Sequence, residues 1–90
     1  MFIIYTKSNC CLCNTIKKLL EKERCIIINC DEMLESDDRE TFINEMKRRT
    51  KWDKITFPMI FIDDDFLGGY NDFIANMAFD YEMIDKYFYF

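Results

Sequence analysis

Residues 2–13 read Phe2-Ile3-Ile4-Tyr5-Thr6-Lys7-Ser8-Asn9-Cys10-Cys11-Leu12-Cys13. Phe2 to Tyr5 is an apolar run of β-branched and aromatic residues, the pattern of a buried strand. Lys7-Ser8-Asn9 is a polar break. From Cys11 to Arg24 the apolar positions Leu12, Ile16, Leu19 and Leu20 recur at helical spacing, with Lys17, Lys18, Glu21 and Lys22 opposite. That pattern predicts a helix with one apolar face. Cys25-Ile26-Ile27-Ile28-Asn29 then reads as a second buried strand. Strand, helix and strand in this order predict a parallel pair with a right-handed crossover.

Working outward, Asp31 to Ser36 reads as a loop. Asp37-Asp38-Arg39-Glu40 has the layout of a capping box, with an Asp cap and an acid three residues on. A second helix is expected to about Thr50, with Phe42, Ile43 and Met46 facing inward. Lys47-Arg48-Arg49 with Lys51 suits the negative end of that helix and reads as a solvated face. Met59 to Ile62 predicts a third strand, Asp63-Asp64-Asp65 a turn, and Phe66-Leu67 a short antiparallel fourth strand. Gly68-Gly69 breaks the chain. Asn71–Ala78 and Asp80–Phe88 are expected to be helical, with Phe73, Ile74, Met77, Tyr81 and Ile84 inside. The expected order is β-α-β-α-β-β-α in one domain, residues 1–90.

The chain has 90 residues, half of them hydrophobic and about a third charged, which is the composition of a globular chain. Its formal net charge of −5 argues against a general nucleic-acid or anionic-membrane binder, since both reward a basic surface. No apolar run approaches the roughly 20 residues that span a bilayer. The N-terminus carries no signal-peptide pattern, so a cytoplasmic location is expected. There is no histidine, which excludes Ser-His-Asp and Cys-His catalysis and every histidine-containing metal site.

Five cysteines stand at 10, 11, 13, 25 and 30, all in the first third. An odd, clustered set differs from the even, dispersed set of a disulfide-stapled secreted domain. In a reducing compartment it reads as catalytic or metal-binding thiols. Cys10 and Cys13 form a Cys-x-x-Cys pair at the junction of the first strand and helix. One helical turn brings residues three apart together, so the two sulfurs come within bonding reach. Cys10 falls at the helix N-terminus, where free backbone N–H groups favour a thiolate. Cysteines in such positions commonly have a pKa lowered from ~8.5 to about 3.5–7.5. Lys7 adds a positive charge on the same loop. Cys13, one turn inside, is expected to be more buried. The pair is therefore asymmetric, an attacking thiol and a resolving one. Half of a zinc site is the competing reading, and it lacks a second Cys-x-x-Cys. Cys25 and Cys30 read as packing thiols, and Cys11 as an exposed thiol with no required role.

Two further segments carry chemistry. Pro58, the only proline, directly precedes the third strand, where a missing N–H is tolerated. A trans Pro58 simply starts that strand. A cis Phe57–Pro58 bond turns the preceding backbone outward, so that a peptide-like ligand can pair with Phe57 as an added strand. Gly68-Gly69-Tyr70-Asn71-Asp72 opens the last helical region. Its glycines permit close backbone approach, and Asn71, Asp72 and the helix N–H groups suit an amino-acid-like end group. A plain turn with Asn71 or Asp72 as N-cap is the alternative.

Together these segments resemble the glutaredoxin family of the thioredoxin-like fold, over nearly the whole chain. Tyr5-Thr6-Lys7-Ser8-Asn9-Cys10-Cys11-Leu12-Cys13 is similar to the family's aromatic-x-Lys/Arg-x-x-Cys-x-x-Cys entry. Thr56-Phe57-Pro58-Met59-Ile60-Phe61-Ile62 is similar to its Thr-Val-Pro-x-Ile-Phe-Ile segment. Gly68-Gly69-Tyr70-Asn71-Asp72 is similar to its Gly-Gly-x-x-Asp element. The resemblance implies an α/β fold with a central four-stranded mixed sheet flanked by helices. It also implies a cytoplasmic, monomeric, glutathione-dependent thiol–disulfide oxidoreductase that reduces protein disulfides and glutathione mixed disulfides. Cys10 is then the nucleophile and Cys13 the resolving thiol. Lys7, Thr56, Phe57, a cis Pro58, Tyr70, Asn71 and Asp72 then hold glutathione. Ribonucleotide reductase is a candidate electron acceptor on the same grounds, and no nucleic acid, membrane or metal is expected.

Three departures stand out. Cys11-Leu12 replaces the family's usual Pro-Tyr. Phe57 replaces a small aliphatic residue. Lys51-Trp52-Asp53-Lys54 lengthens the loop before Thr56. Some relatives without that proline hold a [2Fe-2S] cluster between two protomers, ligated by the active-site thiolate and glutathione. This gives the alternative expectation, a cluster carrier or redox sensor with Cys10 as ligand.

Overall fold

The protein is represented by a computed structural model, and the structure describes residues 1–77. The elements are β1 (Phe2–Thr6), α1 (Cys11–Leu19), β2 (Cys25–Asn29), α2 (Asp31–Glu35), α3 (Arg39–Thr50), β3 (Met59–Ile62), β4 (Asp65–Gly68) and α4 (Tyr70–Met77). They form one four-stranded sheet in the order β2-β1-β3-β4. β1 pairs with β2 in parallel, from Phe2↔Cys25 to Thr6↔Asn29. It pairs with β3 antiparallel, from Phe2↔Ile62 to Tyr5↔Met59, and β3 pairs antiparallel with β4. The mixed sheet expected from the sequence is present. The expected helix at Asp80–Phe88, with Tyr81 and Ile84, lies outside the described residues.

Successive side chains of a strand point to opposite faces, and β1 shows how the core follows from this. Ile4 is fully buried with Ile16 and Leu20 of the α1 region, Ile60 of β3 and Phe73 of α4. Ile3 and Tyr5 face the other way, against Met46, Met59 and Phe61, with Phe42, Trp52, Ile55, Phe57 and Phe66 around them. The sheet is thus covered on both faces. Burying a side chain such as Ile4 contributes about 1.5–3 kcal/mol.

Several local expectations are corrected. α1 ends at Leu19 with Leu20 as C-cap, not at Arg24. The chain tightens there through Glu21 N–H to Lys18 O at 3.4 Å and Glu23 N–H to Leu20 O at 3.0 Å. This reversal is needed to enter β2 within a few residues. Leu12, expected on the apolar face, is 46 % exposed, while Cys13 beside it is the buried residue of the first turn. β2 is an edge strand with one ladder neighbour, so Ile26 and Ile27 remain 47 % and 43 % exposed.

Residues 31–35, read as loop, form α2, which adds one helix to the expected order. The α3 N-cap is Asp38 and its side chain makes no capping bond, so the predicted capping box does not form. Instead the Ser36 hydroxyl oxygen accepts from Asp38 N–H at 3.2 Å. Arg49 is not part of a solvated face. Its guanidinium lies 4.4 Å from the Phe61 ring centroid and donates to the Tyr5 hydroxyl at 2.8 Å. β4 runs from Asp65 to Gly68, two residues longer than Phe66-Leu67.

Candidate active site at the start of the first helix

The site begins where β1 runs into α1. Asn9 takes a left-handed conformation (φ 56°), which Asn tolerates better than most residues, and it turns the chain from strand to helix. Cys10 follows as the N-cap in an extended conformation. Its Sγ accepts a hydrogen bond from Cys13 N–H at 3.2 Å, and its carbonyl accepts from Asn14 N–H at 3.1 Å. The sulfur therefore occupies the place a capping oxygen usually takes, facing the unpaired N–H groups of the first turn. Cys10 and Cys13 are joined in a disulfide, with Cα atoms 5.2 Å apart. Cys13 is fully buried, while Cys10 is half-buried and Cys11 exposed. The asymmetry expected from the spacing is present in the burial: only Cys10 of the pair meets solvent.

The loop that leads to Cys10 is tied to the neighbouring strand-to-helix junction. Asp31, the first residue of α2, accepts from Ser8 N–H at 2.9 Å and also pairs with the Ser8 hydroxyl. Asp31 N–H donates in turn to Asn29 Oδ1 at 2.8 Å. Donation from the Ser8 hydroxyl, then from its N–H, holds the Asp31 carboxyl below its ordinary value. Sequence reasoning placed Asp31 in a plain loop. The signal that marks it is an acid at the first position of a helix entered directly from a strand.

Just before β3, the Phe57–Pro58 peptide is cis. Pro58 is buried and Phe57 half-buried, and Thr56 is exposed. The Phe57 carbonyl oxygen lies 3.8 Å from Cys10 Sγ. Lys7 is exposed, and its Nζ stands 5.7 Å from the centroid of the Phe57 ring. Lys7 and Cys10 of the first loop thus meet Phe57, which is distant in sequence.

Further along, the start of α4 adjoins Pro58. Gly68 has φ +139°, a conformation that favours glycine, and a Cβ there would collide with the Asp72 side chain. Gly69 N–H donates to Asp72 Oδ2 at 3.1 Å. Asp72 thus reaches back over the first turn of α4. Gly69, not Asn71 or Asp72, is the residue immediately before the helix. Asn71 and Asp72 are exposed and Tyr70 is half-buried. One Asp72 oxygen is therefore committed to the backbone, which sequence reasoning did not anticipate.

The remaining thiols separate clearly. Cys25 is half-buried against the Ile4 cluster. Cys30 is fully buried, and burial pushes its thiol up to about 11. Among the described residues, no group of three or more Cys, Asp or Glu is assembled to hold a metal ion.

This geometry agrees with what comparison with known proteins finds. A glutaredoxin family model matches residues 2–67. The chain belongs to the glutaredoxin family. Solved structures of similar fold include wheat glutaredoxin, 28% identical, with a TM-score of 0.68 over 86% of this chain and 70% of that one. Glutaredoxin 1 from Francisella tularensis, complexed with cacodylate, is 29% identical, with a TM-score of 0.63 over 86% and 91% of the two chains. The buckwheat glutaredoxin–glutathione complex is 20% identical, with a TM-score of 0.71 over 96% and 74%. No curated protein matches this glutaredoxin in sequence. The matched segment contains Cys10, Cys13 and the Phe57–Pro58 turn. The Tyr70–Asp72 element lies beyond the family match but within the described fold.

Proposed function

We propose that this glutaredoxin is a glutathione-dependent thiol–disulfide oxidoreductase with Cys10 as nucleophile and Cys13 as resolving thiol. The observation that carries the reading is the half-buried Cys10 sulfur at the N-terminus of α1, beside the Phe57 carbonyl, with Cys13 bonded to it from the buried side. A thiolate here is favoured by the first-turn N–H groups. Kinship supports the choice of glutathione: the family uses it, and the buckwheat neighbour is a glutathione complex.

The proposed chemistry balances in two forms. With a glutathionylated protein, the Cys10 thiolate attacks the glutathione sulfur. The mixed disulfide breaks, the protein thiolate leaves, and Cys10 carries glutathione. A second glutathione thiolate attacks that sulfur, releasing Cys10 and oxidised glutathione. With a protein disulfide, Cys10 attacks one sulfur and Cys13 then attacks Cys10, releasing the reduced protein. Two glutathiones afterwards reduce the Cys10–Cys13 bond. Lys7 and the α4 N-terminus offer positive potential for the two carboxylates of the tripeptide, and the Phe57 backbone offers it a strand-like partner.

The test is glutathione-dependent reduction of a glutathionylated peptide by the purified protein. Turnover that follows glutathione concentration is expected. A protein with a reactive Cys10 but no turnover overturns the reading. A brown protein with visible absorbance after anaerobic purification favours a glutathione-ligated cluster dimer instead.

A further inference from the structure

We propose that Trp52 is a positioning residue for the ligand, acting through the backbone of Gly69 and Tyr70. The proposal rests on the glutathione reading and concerns the end of the tripeptide farthest from Cys10.

α3 ends with Lys51 in a left-handed conformation (φ 62°), its N–H donating to Lys47 O at 2.8 Å. Thr50 is buried and bonds twice. Its hydroxyl donates to Met46 O at 2.8 Å, and the same oxygen accepts from Trp52 N–H at 3.2 Å. The chain is thus turned sharply at Lys51 and pinned at Trp52, which directs the indole into the sheet face covered by α3. There it meets the Phe66 ring edge-on, with centroids 4.8 Å apart at 88°.

The tip of the indole reaches Gly69. A Cβ at that position would stand 3.3 Å from Trp52 Cη2, 3.8 Å from Cζ2 and 3.7 Å from the Pro58 carbonyl oxygen. Such a contact with Cη2 is tighter than ordinary van der Waals packing, so the glycine is matched to the indole. Gly69 is bracketed by Trp52, Pro58 O and the Asp72 carboxylate that accepts its N–H. This bracket fixes where α4 begins, and with it the first-turn N–H groups and the Tyr70-Asn71-Asp72 side chains. The lengthened 51–54 loop therefore sets the shape of the ligand's far subsite, although it lies in sequence next to neither glycine nor cysteine. Removing the indole leaves a void beside Gly69 and frees the turn to relax, while Cys10 and α1 are untouched.

Trp52 is the only tryptophan, so indole emission reports the surroundings of this one side chain. Two measurements test the proposal. First, Gly69→Ala is expected to displace the indole and shift its emission to longer wavelength in the unliganded protein. Second, Trp52→Ala is expected to raise KM for the glutathionylated peptide several-fold with kcat near the wild-type value, and Trp52→Phe to recover part of the loss. A wild-type protein that turns over normally, with unmoved emission in Gly69→Ala or unchanged KM in Trp52→Ala, overturns the proposal alone. A wild-type protein that neither turns over nor forms a glutathione adduct on Cys10 by mass spectrometry overturns the glutathione reading, and the ligand role of Trp52 with it.

Discussion

Two cysteines hold the same formal position in this fold. Cys10 is the N-cap of α1 and Cys30 the N-cap of α2, and each helix follows a strand of the parallel pair. Cys10 is extended, its sulfur accepts a first-turn N–H, and part of it meets solvent. Cys30 has φ −100° and ψ 7° and makes no side-chain capping bond. Its sulfur lies 3.7 Å from Ile28 O, and the thiol is fully buried. The helix that follows Cys10 has nine residues, and the one after Cys30 has five. A helix N-terminus therefore does not by itself present a sulfur to the free N–H groups and to solvent. The sulfur must point at the free N–H groups, and solvent must reach the atom.

The largest expected effect breaks the comparison directly. Cys10→Ser should abolish reduction of both protein disulfides and glutathione mixed disulfides, whereas Cys30→Ala should leave both rates intact. Equal losses in a coupled glutathione assay would remove the distinction between the two caps. Cys13→Ser should lose only the protein-disulfide reaction, because glutathione itself resolves the other.

The junctions are also physically joined, through Asp31 and Ser8. Asp31→Ala should free the 7–9 loop and lower kcat/KM several-fold, with Asp31→Asn intermediate. The folded-state pKa of Asp31 lies below its ordinary value. The tie is therefore complete above the usual carboxylate range and is lost as pH falls through the lowered value. A kcat/KM for Asp31→Ala equal to wild type would leave the link without a role in catalysis.

Cys30 sharpens the comparison at the other end of the pH scale. Its pKa is raised from 9.0 to about 11, so the neutral thiol contributes its full stability below pH 9. That contribution is lost as pH rises through 11. Urea midpoints of the wild type should fall across this window, and those of Cys30→Ala should be flatter, from a baseline lower by ~1 kcal/mol. Parallel curves would refute the assignment.

The smallest effect concerns Cys11. Being exposed, it should react with a thiol reagent in the native protein, whereas Cys30 should react only on unfolding. Cys11→Ser should change stability by less than about 0.5 kcal/mol. Labelling followed by peptide mapping reads both.

The sequence by itself determined whatever depends on neighbours a few residues apart. The apolar runs at 2–5, 25–29 and 59–62 specify strands, and the pattern from Cys11 onward specifies a helix but not that it stops at Leu19 rather than Arg24. The three-residue spacing of Cys10 and Cys13 specifies a pair on one helical turn, with its asymmetry. These follow from backbone periodicity, so they can be read without knowing any long-range contact, although the elements persist only once packed. α2 was missed because five residues show no period, and the capping box failed because α3 starts one residue later, with Asp38 as an N-cap whose side chain makes no capping bond.

Only the tertiary structure decided the rest, since it depends on residues far apart in the chain. Phe57 stands beside Cys10 across 47 positions, and Asp31 holds Ser8 across 23. Arg49 leaves its charged neighbours to lie over Phe61, and Trp52 closes on Gly69. Whether Ile26 and Ile27 are covered depends on β2 being an edge, which strand order alone sets. Residue types name the thiols, but the sheet decides which one water and a second sulfur can reach.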